Sequence, residues 1–510
     1  MPRALWNSLQ KMPSMDFPAN AFPSDYVLGK ALSQEAKLDI KYIDCCINGC
    51  RAFTRSYSKD TGKARKQFLY FSPVNRLRAQ SENKATSERL KYPQIRQVDP
   101  YKYQDIWEGD HIKNLKEKSI TWGGKEVAGA GRYFEDDTQL ALGLATDGLP
   151  CWKRSTRDEL ADRKLDMDSF LWPLIEDLRK LATAGVKARR WEGGRLVDYL
   201  MRAHLIVISG DMPAISKLMN FKSIGAIFPC RWCKMRAIRP GEAGQEYGKY
   251  YLTTKTANDT NNVKYNALPL RTHQEIMRDV EAIRSCRTKA SQEILKKEKG
   301  INDQSVLSLV GSINFPWSFS ADVMHILYEN IMKELLGLWD GTYKASMITG
   351  TADGRLGQVP GERYVVSQAH WNQMDKEVSS SNATVPAEMA RRLGSISKRG
   401  YWTAETYSYF LAHLGPIVMR GRLSKVYYDH FVDLSRITNI ICKLEITNDE
   451  IAEIRSGLVE WVTQFESMER FGGWAKRQVV HNRKNPIEAL NNRVLREEQV
   501  SIKKFIPDAK

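Results

Sequence analysis

Two aspartates lie at or beside the ends of apolar, strand-like segments, where carboxylates can serve phosphoryl transfer. Asp147 follows TQLALGLAT at 138–146, and Asp211 ends AHLIVISGD at 203–211. Two-metal phosphoryl transfer needs carboxylates that project from neighbouring strands, so that two Mg²⁺ ions lie roughly 4 Å apart. One ion activates the attacking water or 3′-hydroxyl, and the other stabilises the leaving oxygen. The pattern makes Asp147 and Asp211 candidate metal ligands.

Each aspartate also has a purely structural explanation, which is the more common one for such a residue considered alone. Asp147 precedes Gly148, and Asp-Gly is a frequent turn dipeptide. Asp211 precedes MPAISKLM, a predicted helix, and aspartate is a preferred residue at a helix N-cap. Residue type and position alone therefore do not assign either carboxylate to a metal.

The cysteines offer two candidate metal half-sites. Cys230 and Cys233 have C-x2-C spacing in FPCRWCK, which lets two thiolates share one Zn²⁺, although two further ligands are needed. A pair of buried thiols is the equal alternative. Cys46 and Cys50, in DCCINGC, form a weaker half-site because no second cysteine pair follows within reach in the sequence.

Two further groups of polar residues have spacing suited to chemistry. Asp322, His325 and Glu329 are spaced i, i+3 and i+7, so they share one face of a predicted helix, either as ligands or as the solvated edge of a core helix. The segment AKRQVVHNRK at 475–484 is basic and suits phosphate contacts, and a solvated surface helix is the competing interpretation.

Composition favours a nucleic-acid partner. Lysine and arginine total 77 and aspartate and glutamate 60, so the formal net charge is +17. A polyanionic partner is expected, nucleic acid before membrane, with a merely basic soluble protein as the alternative. No apolar run approaches the roughly 18 residues of a membrane-spanning helix, and the N-terminus lacks the apolar core of a secretory signal. Eight cysteines without such a signal indicate a reduced compartment.

The elements that must position these residues form an α/β pattern. Strands are predicted at 138–147 and 203–210, with helices at 169–184, 195–203 and 323–339. From residue 401 onward the chain is predicted to be mostly helical, and Thr447 with Glu450 is a capping-box start for one of these helices. The fold class is therefore an α/β core with a large helical C-terminal portion.

Several segments, in this order, resemble the CACTA (En/Spm-like) transposases of the fungal branch. The resemblance covers most of residues 40–495. Its pieces are YIDCCINGCRAFT, GLATDG, ISGDMPAISKLMNFKSIGAIFPCRWCKMR, LPLRTHQEI, FSADVMHILYEN and MERFGGWAKRQV, of which the third is the most specific.

The resemblance implies an RNase H-like nuclease core that cuts and transfers DNA strands at transposon ends, using Mg²⁺ or Mn²⁺. Asp147 and Asp211 match the family's first two metal-binding acids. Glu469, in the M-E-R segment, matches the third, and Glu329 is the second choice. The implied partner is double-stranded DNA in the nucleus, with no membrane and with a further copy of the chain as a candidate partner. Zn²⁺ at Cys230 and Cys233 is the second implied metal.

Two departures from the family pattern put full activity in doubt. The family's N-terminal zinc ribbon has a second cysteine pair, whereas this chain passes directly into SKDTGKARKQFLYF, so Cys46 and Cys50 are a remnant. The family also has an H-x4-H segment before M-E-R, but here EWVTQFES runs directly into MERFGG. Cys230 and Cys233 therefore lack their usual histidine partners, which His273 or His325 is not expected to replace. His430 is isolated, and His481 lies after Glu469.

The hypotheses are a DNA transposase, or a decayed copy of one, and a non-catalytic DNA-binding protein derived from a transposase. The missing segments favour a decayed or non-catalytic form, or an imperfect gene model, without changing the resemblance. The predicted divisions are a poorly ordered N-terminus at 1–40, a degenerate zinc-ribbon remnant at 41–75, an RNase H-like core at 76–344 with an insertion at about 240–310, a linker at 345–395, a helical domain at 396–467 and a basic segment at 468–510.

Overall fold

A computed structural model of the chain provides the structure, which is of the mixed α/β class. It describes residues 40–46, 51–54, 66–146, 166–223, 226–236, 264–341, 364–381, 383 and 393–467. Asp147, Cys50, Glu469 and the basic segment at 475–484 lie outside the described residues. None of the described helices is both long and apolar enough to cross a membrane.

The secondary structure alternates short strands with helices and becomes mostly helical after residue 264. The strands are β1 (Ile40–Cys45), β2 (Lys66–Phe71), β3 (Lys102–Tyr103), β4 (Thr121–Trp122), β5 (Lys125–Glu126), β6 (Gln139–Thr146), β7 (Val186–Glu192), β8 (Arg195–Gly210) and β9 (Ile446–Thr447). The helices are α1 (Pro73–Glu82), α2 (Lys84–Leu90), α3 (Tyr92–Ile95), α4 (Asp110–Lys116), α5 (Met167–Ala182), α6 (Met212–Leu218), α7 (His273–Arg284), α8 (Lys289–Lys299), α9 (Lys333–Trp339), α10 (Gln368–Ser381), α11 (Ala404–Tyr409), α12 (Gly415–Val418), α13 (Lys425–Ile441) and α14 (Asn448–Ser467). Two π-helical segments, Met324–Met332 and Phe410–Leu414, lead directly into α9 and α12.

The chain divides into two compact units. The first is drawn from Met1–Leu90, Arg163–Asp177 and Lys187–Tyr199, and the second contains the rest. In the first unit, β1 and β2 form an antiparallel hairpin. The buried carboxylate of Asp177 accepts hydrogen bonds from Tyr70 Oη at 2.7 Å and Ser72 Oγ at 2.6 Å, which fastens the end of β2 to α5.

Burial and the carboxylate of Asp177 both change the pKa of the Tyr70 hydroxyl. Burial raises the pKa of the Tyr70 hydroxyl, and its hydrogen bond to Asp177 raises the pKa further. The hydroxyl therefore stays protonated and donates its hydrogen bond to Asp177, which connects the end of β2 to α5.

In the second unit, β6 pairs in parallel with the C-terminal part of β8. The register runs from Gln139 opposite Arg202 to Thr146 opposite Gly210, with an irregularity after Leu142 that leaves Ile206 as an extra residue of β8. Ile206 is buried in a small cluster with Ile112, Leu115, Ile120 and Tyr133. This cluster therefore packs against one face of the β6–β8 pair. The candidate site lies at the carboxyl end of the same pair.

The largest hydrophobic core of the second unit joins the C-x2-C segment to the helices that follow. It includes Trp232, Leu336, Met374, Phe410 and Trp461, all of them 2% exposed or less. Helices α9 to α14 therefore pack in one core with the segment around Cys230. The second unit contains the described residues of 396–467 and most of those of 76–344, whereas 76–90, Arg163–Asp177 and Lys187–Tyr199 fall in the first unit. The predicted division into a core at 76–344 and a helical domain at 396–467 stays a prediction.

Local sequence signals account for several helix ends. Thr272 and Glu275 form a capping box at the start of α7, and Thr447 with Glu450 forms the predicted one at the start of α14. Helix α8 ends at Gly300, whose φ of 69° lies in the left-handed region that a glycine adopts without strain. The ends of these helices can therefore be predicted from short stretches of sequence.

Two predictions about secondary structure were wrong. Residues 195–203 belong to β8 and are not helical, because Gly193 and Gly194 turn the chain with φ of 56° and 80° directly into a strand. Within the interval 345–395 that was interpreted as a linker, α10 is a helix that buries Trp371, Met374 and Val378 in the large core. Helical spacing of these apolar residues outweighs the polar composition around them.

Candidate functional site

The candidate site lies at the carboxyl end of the β6–β8 pair. Thr146 is opposite Gly210, so the next residue along each strand, Asp147 after β6 and Asp211 after β8, follows a paired position. The strands approach closely there: a Cβ added at Gly210 would lie 2.5 Å from Thr146 Cγ2 and 2.7 Å from the Thr146 carbonyl oxygen. Only glycine fits at this position without moving the neighbouring strand.

Asp211 has the structural role that its sequence position indicated. It is the N-cap of α6, and its Oδ1 accepts a hydrogen bond from the backbone N–H of Ala214 at 2.6 Å. A carboxylate has two oxygens with four lone-pair directions, so capping through Oδ1 does not use its full acceptor capacity. The N-cap and metal-ligand interpretations of Asp211 are therefore compatible.

A third parallel segment lies against β8 on residues 318–320. Ile208 donates its N–H to the Ser318 carbonyl at 2.7 Å, and Ser320 donates its N–H to the Ile208 carbonyl at 2.8 Å. This is a parallel bridge between Ile208 and Phe319. Asp211 is three residues after Ile208, and Asp322 is three residues after Phe319, so the two aspartates follow the bridge at equal intervals along parallel chains.

Asp322, His325 and Glu329 form a connected group at the start of the π-helical segment. Asp322 Oδ2 is 2.6 Å from His325 Nδ1, and its Oδ1 accepts the His325 backbone N–H at 3.2 Å. His325 Nε2 is 3.7 Å from Glu329 Oε2. The exposed fraction of the side chain is 33% for His325, 19% for Asp322 and 35% for Glu329, so water and small ions reach all three.

Two partly buried histidines hold the chain that leads into this third segment. His111 Nε2 lies 2.9 Å from the Ser312 carbonyl, and His273 Nδ1 accepts the backbone N–H of Phe315 at 3.0 Å. Burial lowers the pKa of both imidazoles, that of His111 to about 4. Both rings are therefore neutral hydrogen-bonding groups at neutral pH, which suits the positioning of residues 312–320.

The structure thus aligns Asp211 with Asp322 and connects Asp322 to Glu329 through His325. Asp147 and Glu469, the first and third acids implied by the resemblance, lie outside the described residues. Among the residues that are described, no three His, Cys, Asp or Glu side chains are grouped closely enough to hold a metal ion. The assignment of Asp147, Asp211 and either glutamate to metal binding stays a prediction.

Cys230 and Cys233 lie together in the large core, at 1% and 0% exposure. The backbone N–H of Cys233 donates to Cys230 Sγ at 3.3 Å, and neither cysteine is in a disulfide. The turn is held by an antiparallel bridge from Cys233 to Leu270 and by a hydrogen bond from the Arg271 N–H to the Trp232 carbonyl at 2.8 Å. The C-x2-C segment and the segment LPLRTHQEI are therefore adjacent in space.

The electrostatics of the two thiols differ. Burial raises the pKa of Cys230, but hydrogen bonds from the Cys233 thiol and from two backbone N–H groups, with the charge of Arg271, lower it to about 7. The Cys233 pKa is raised by its hydrogen bond to Cys230 and by burial. One of the two sulphurs is thus favoured as the thiolate.

Arg271 is buried beside the two sulphurs, at 3% exposure. Its Nε donates to the Cys233 carbonyl at 3.2 Å, and one terminal nitrogen donates to the Lys299 carbonyl at 2.9 Å. Gly300 lies close to it: a Cβ there would be 3.2 Å from an Arg271 nitrogen and only 2.4 Å from the Phe228 carbonyl oxygen. A guanidinium does not deprotonate in proteins, so a full positive charge is buried next to the thiols.

The remaining histidine and cysteine candidates have structural contacts or lie elsewhere. His430 is buried, donates from Nε2 to the Trp461 carbonyl at 2.9 Å and stacks on the Trp461 ring at 4.2 Å. His273 and His325 join neither Cys230 nor Cys233 in a group that could hold a metal, within the described part of the chain. Cys46 is described, at the end of β1, whereas its proposed partner Cys50 is not.

Searches against protein-family models and against curated proteins found no match to this chain.

Geometry gives Asp322 a new relation to the candidate site and brings Arg271 to notice for the first time. Asp322 was considered only as part of a helix face, and its alignment with Asp211 depends on a bridge between residues 111 positions apart (319 − 208 = 111). Arg271 gave no signal at all, because nothing in LPLRTHQEI indicates that its guanidinium lies beside a cysteine pair 38 residues earlier. Both depend on long-range pairing, which periodicity does not report.

Proposed function

We propose that this protein is a CACTA-like DNA transposase, or a decayed copy of one, built on an RNase H-like core. Its intended reaction is divalent-metal-dependent cleavage and transfer of DNA strands at transposon ends. The observation that carries the proposal is the parallel β6–β8 register, which ends with Thr146 opposite Gly210. The two acids implied by the family resemblance, Asp147 and Asp211, are the residues that follow these paired positions.

Adjacent parallel strands are a suitable scaffold for a two-metal site. Carboxylates that leave the same edge of a sheet at the same level can share a cation, and nuclease sites with two Mg²⁺ ions need such sharing. In the proposed reaction, Asp147 and Asp211 would hold the divalent ions. When bound, these ions would favour loss of a proton from water or a 3′-hydroxyl for attack on phosphorus and would stabilise the 3′-oxygen that leaves as its P–O bond breaks.

The proposed site has several candidates for its third acid. Glu469 is the match by resemblance, and Glu329 is the second choice. The bridge between Ile208 and Phe319 adds Asp322, which follows the third parallel segment as Asp211 follows β8. Asp322 and Glu329 both contact His325, so substitution at either position tests the same group of side chains in the proposed site.

The test is strand cleavage by the purified chain with Mn²⁺ or Mg²⁺ and a duplex that contains the transposon end. Asp147→Asn and Asp211→Asn are each expected to reduce cleavage by about a hundredfold or more, as misplacement or loss of a catalytic group does. Asp322→Asn, Glu329→Gln and Glu469→Gln then rank the candidates for the third acid.

Asparagine is the informative replacement at position 211. It caps helices as well as aspartate does, so Asp211→Asn should fold normally while losing the metal-binding charge. Glu298→Gln, in α8, is the matched control that removes a carboxylate outside the proposed site. Cleavage that is unchanged in both Asp147→Asn and Asp211→Asn contradicts the proposed site.

A non-catalytic DNA-binding protein is the second candidate, and the net charge of +17 is the observation that favours it. It predicts duplex binding without cleavage. The logarithm of the affinity should fall with the logarithm of the salt concentration at a slope of about −0.9 for each phosphate contact. Absence of duplex binding at low salt contradicts this candidate.

A further inference from the structure

The third parallel segment is attached to the end of β8 by one isolated bridge. Ile208 and Phe319 form this bridge through two backbone hydrogen bonds. In a longer parallel ladder, the next carbonyl of the segment, that of Ser320, would accept a hydrogen bond from β8. The bridge is isolated among the described residues, so no longer ladder holds the chain where it approaches Asp322.

Arg231 supplies the next hydrogen bond along the segment. Its Nη2 donates to the Ser320 carbonyl at 3.0 Å, and the residue is only 5% exposed. The Ser320 carbonyl belongs to the peptide plane that leads to Ala321, and a peptide plane is rigid. Fixing this oxygen therefore fixes the direction of the chain one residue before Asp322.

The side chain of Arg231 is itself held in place. Its guanidinium carbon lies 3.8 Å from the centroid of the Trp232 ring, and that ring is fully buried. The Trp232 carbonyl accepts the backbone N–H of Arg271 at 2.8 Å, which fixes the chain beside the arginine. A planar guanidinium that is already ordered loses little freedom when it donates a hydrogen bond. Arg231 is therefore suited to hold a neighbouring strand.

Asp322 and Asp211 occupy matching positions on the two segments that this arginine helps to align. Asp211 Oδ1 accepts the backbone N–H of Ala214 at 2.6 Å, and Asp322 Oδ1 accepts that of His325 at 3.2 Å. Each aspartate thus follows a parallel segment and caps the helix that comes next. Two such carboxylates can share a divalent ion only while the two segments keep their relative position.

We propose that Arg231 is a positioning residue of the proposed nuclease site, where it holds Asp322 beside Asp211. The inference rests on the proposed function, and it names Asp322 as one of the metal-binding carboxylates. Arg231 is buried and acts on the metal only through the Ser320 carbonyl. Removal of a group that orients a metal ligand typically weakens metal binding by about ten- to a hundredfold.

The first measurement follows the segment and needs no metal. Ser320 donates its N–H to the Ile208 carbonyl at 2.8 Å, so hydrogen exchange of this amide reports opening of the bridge. Exchange should be faster in Arg231→Met than in the original chain. In the matched control, Arg202→Met, the arginine lost donates to the Thr183 carbonyl at 3.3 Å, at the opposite end of the β6–β8 pair. An unchanged rate in Arg231→Met, or an equal increase in Arg202→Met, overturns the proposal.

The second measurement is the affinity of the full chain for Mn²⁺ alone, from the electron paramagnetic resonance signal of the free ion. Arg231→Met should weaken Mn²⁺ binding by about ten- to a hundredfold. Arg231→Lys keeps a charge and a donor and should recover much of the affinity, whereas Arg202→Met should bind as the original chain does. Unchanged Mn²⁺ affinity in Arg231→Met overturns the proposal and leaves the proposed function standing.

Because Arg231 is buried, its loss can also weaken binding by disturbing the fold, and combination with Asp322→Asn separates the two causes. If Arg231 acts through Asp322, Arg231→Met should add nothing to the loss of affinity in Asp322→Asn, whereas a general disturbance adds to it. Additive losses overturn the proposal. The shorter Arg231→Gln has the same expectations and replaces Arg231→Met if that variant does not fold.

Failure of the proposed function gives a different result. If the original chain binds no Mn²⁺, the proposed function fails and the role of Arg231 fails with it. Mn²⁺ that is bound without any cleavage of DNA contradicts the proposed catalytic activity, but not the role of Arg231 at the metal.

Discussion

At the scale of single residues, Asp211 combines a structural and a proposed chemical role. Its Oδ1 caps α6 through the Ala214 N–H at 2.6 Å. We predict that Asp211→Ala lowers the free energy of unfolding by about 1 kcal/mol, since that is the usual cost of losing an N-cap, whereas Asp211→Asn leaves it nearly unchanged. Urea denaturation of the three proteins measures the difference. Equal loss of stability in both variants would mean that the charge, and not the cap, holds the helix.

His430 allows a prediction about pH. Burial lowers the pKa of its imidazole to about 4, below the ordinary value of about 6.5 that it regains on unfolding. Above that ordinary value the ring is neutral in both states, so its contribution is complete. As the pH falls between the two values, the unfolded chain takes up the proton and the folded chain does not. Stability should therefore fall across this window, by up to about 3 kcal/mol near pH 4.

The variant His430→Phe keeps an aromatic ring against Trp461 and removes the titration. The fall in stability between about pH 6.5 and pH 4 should be shallower in this variant than in the original chain. His370→Phe, at an exposed position of α10, is the matched control and should keep the original slope. Identical slopes in all three proteins would show that His430 is protonated equally in the folded and unfolded states.

At the scale of elements, the close approach of β6 and β8 sets the geometry of the candidate site. A Cβ at Gly210 would overlap Thr146, including its backbone carbonyl at 2.7 Å. Gly210→Ala should therefore lower the free energy of unfolding by about 1–3 kcal/mol, the usual cost of overpacking, and reduce any metal-dependent cleavage. Gly400→Ala, where an added Cβ meets nothing within 4 Å, is the control. Full stability of Gly210→Ala would mean that the strands separate freely at this end.

The sequence was sufficient where a signal is local. Alternation in TQLALGLAT predicted β6, and the spacing of Thr447 and Glu450 predicted the capping box that begins α14. The end of β8 at Gly210, followed by a helix that Asp211 caps, was also predicted. Each of these features depends on residues that are close together in the chain, so periodicity and capping chemistry report them.

The sequence was insufficient where pairing decides the structure. Residues 195–203 have apolar residues that fit a helix, yet they are strand because Val197, Tyr199 and Met201 alternate inward with more exposed neighbours. The bridge that aligns Asp322 with Asp211 also connects distant segments. Such contacts depend on which strand lies next to which, and a single sequence does not state that order.

At the scale of the whole molecule, the chain divides into two compact units. The second unit contains the β6–β8 pair, the C-x2-C turn and the helices through α14, whereas the β1–β2 hairpin belongs to the first. The described aspartates of the proposed site, Asp211 and Asp322, thus belong to the same unit as the C-x2-C turn.

The central claim is that the carboxyl ends of β6, β8 and the 318–320 segment share a divalent metal. The most direct test replaces Mg²⁺ with Fe²⁺ and uses ascorbate and peroxide to cut the polypeptide next to the bound ion. We predict cuts beside Asp147, Asp211 and Asp322, all of which disappear in Asp211→Asn. Cuts confined to other segments, or a pattern that Asp211→Asn leaves unchanged, would contradict the claim.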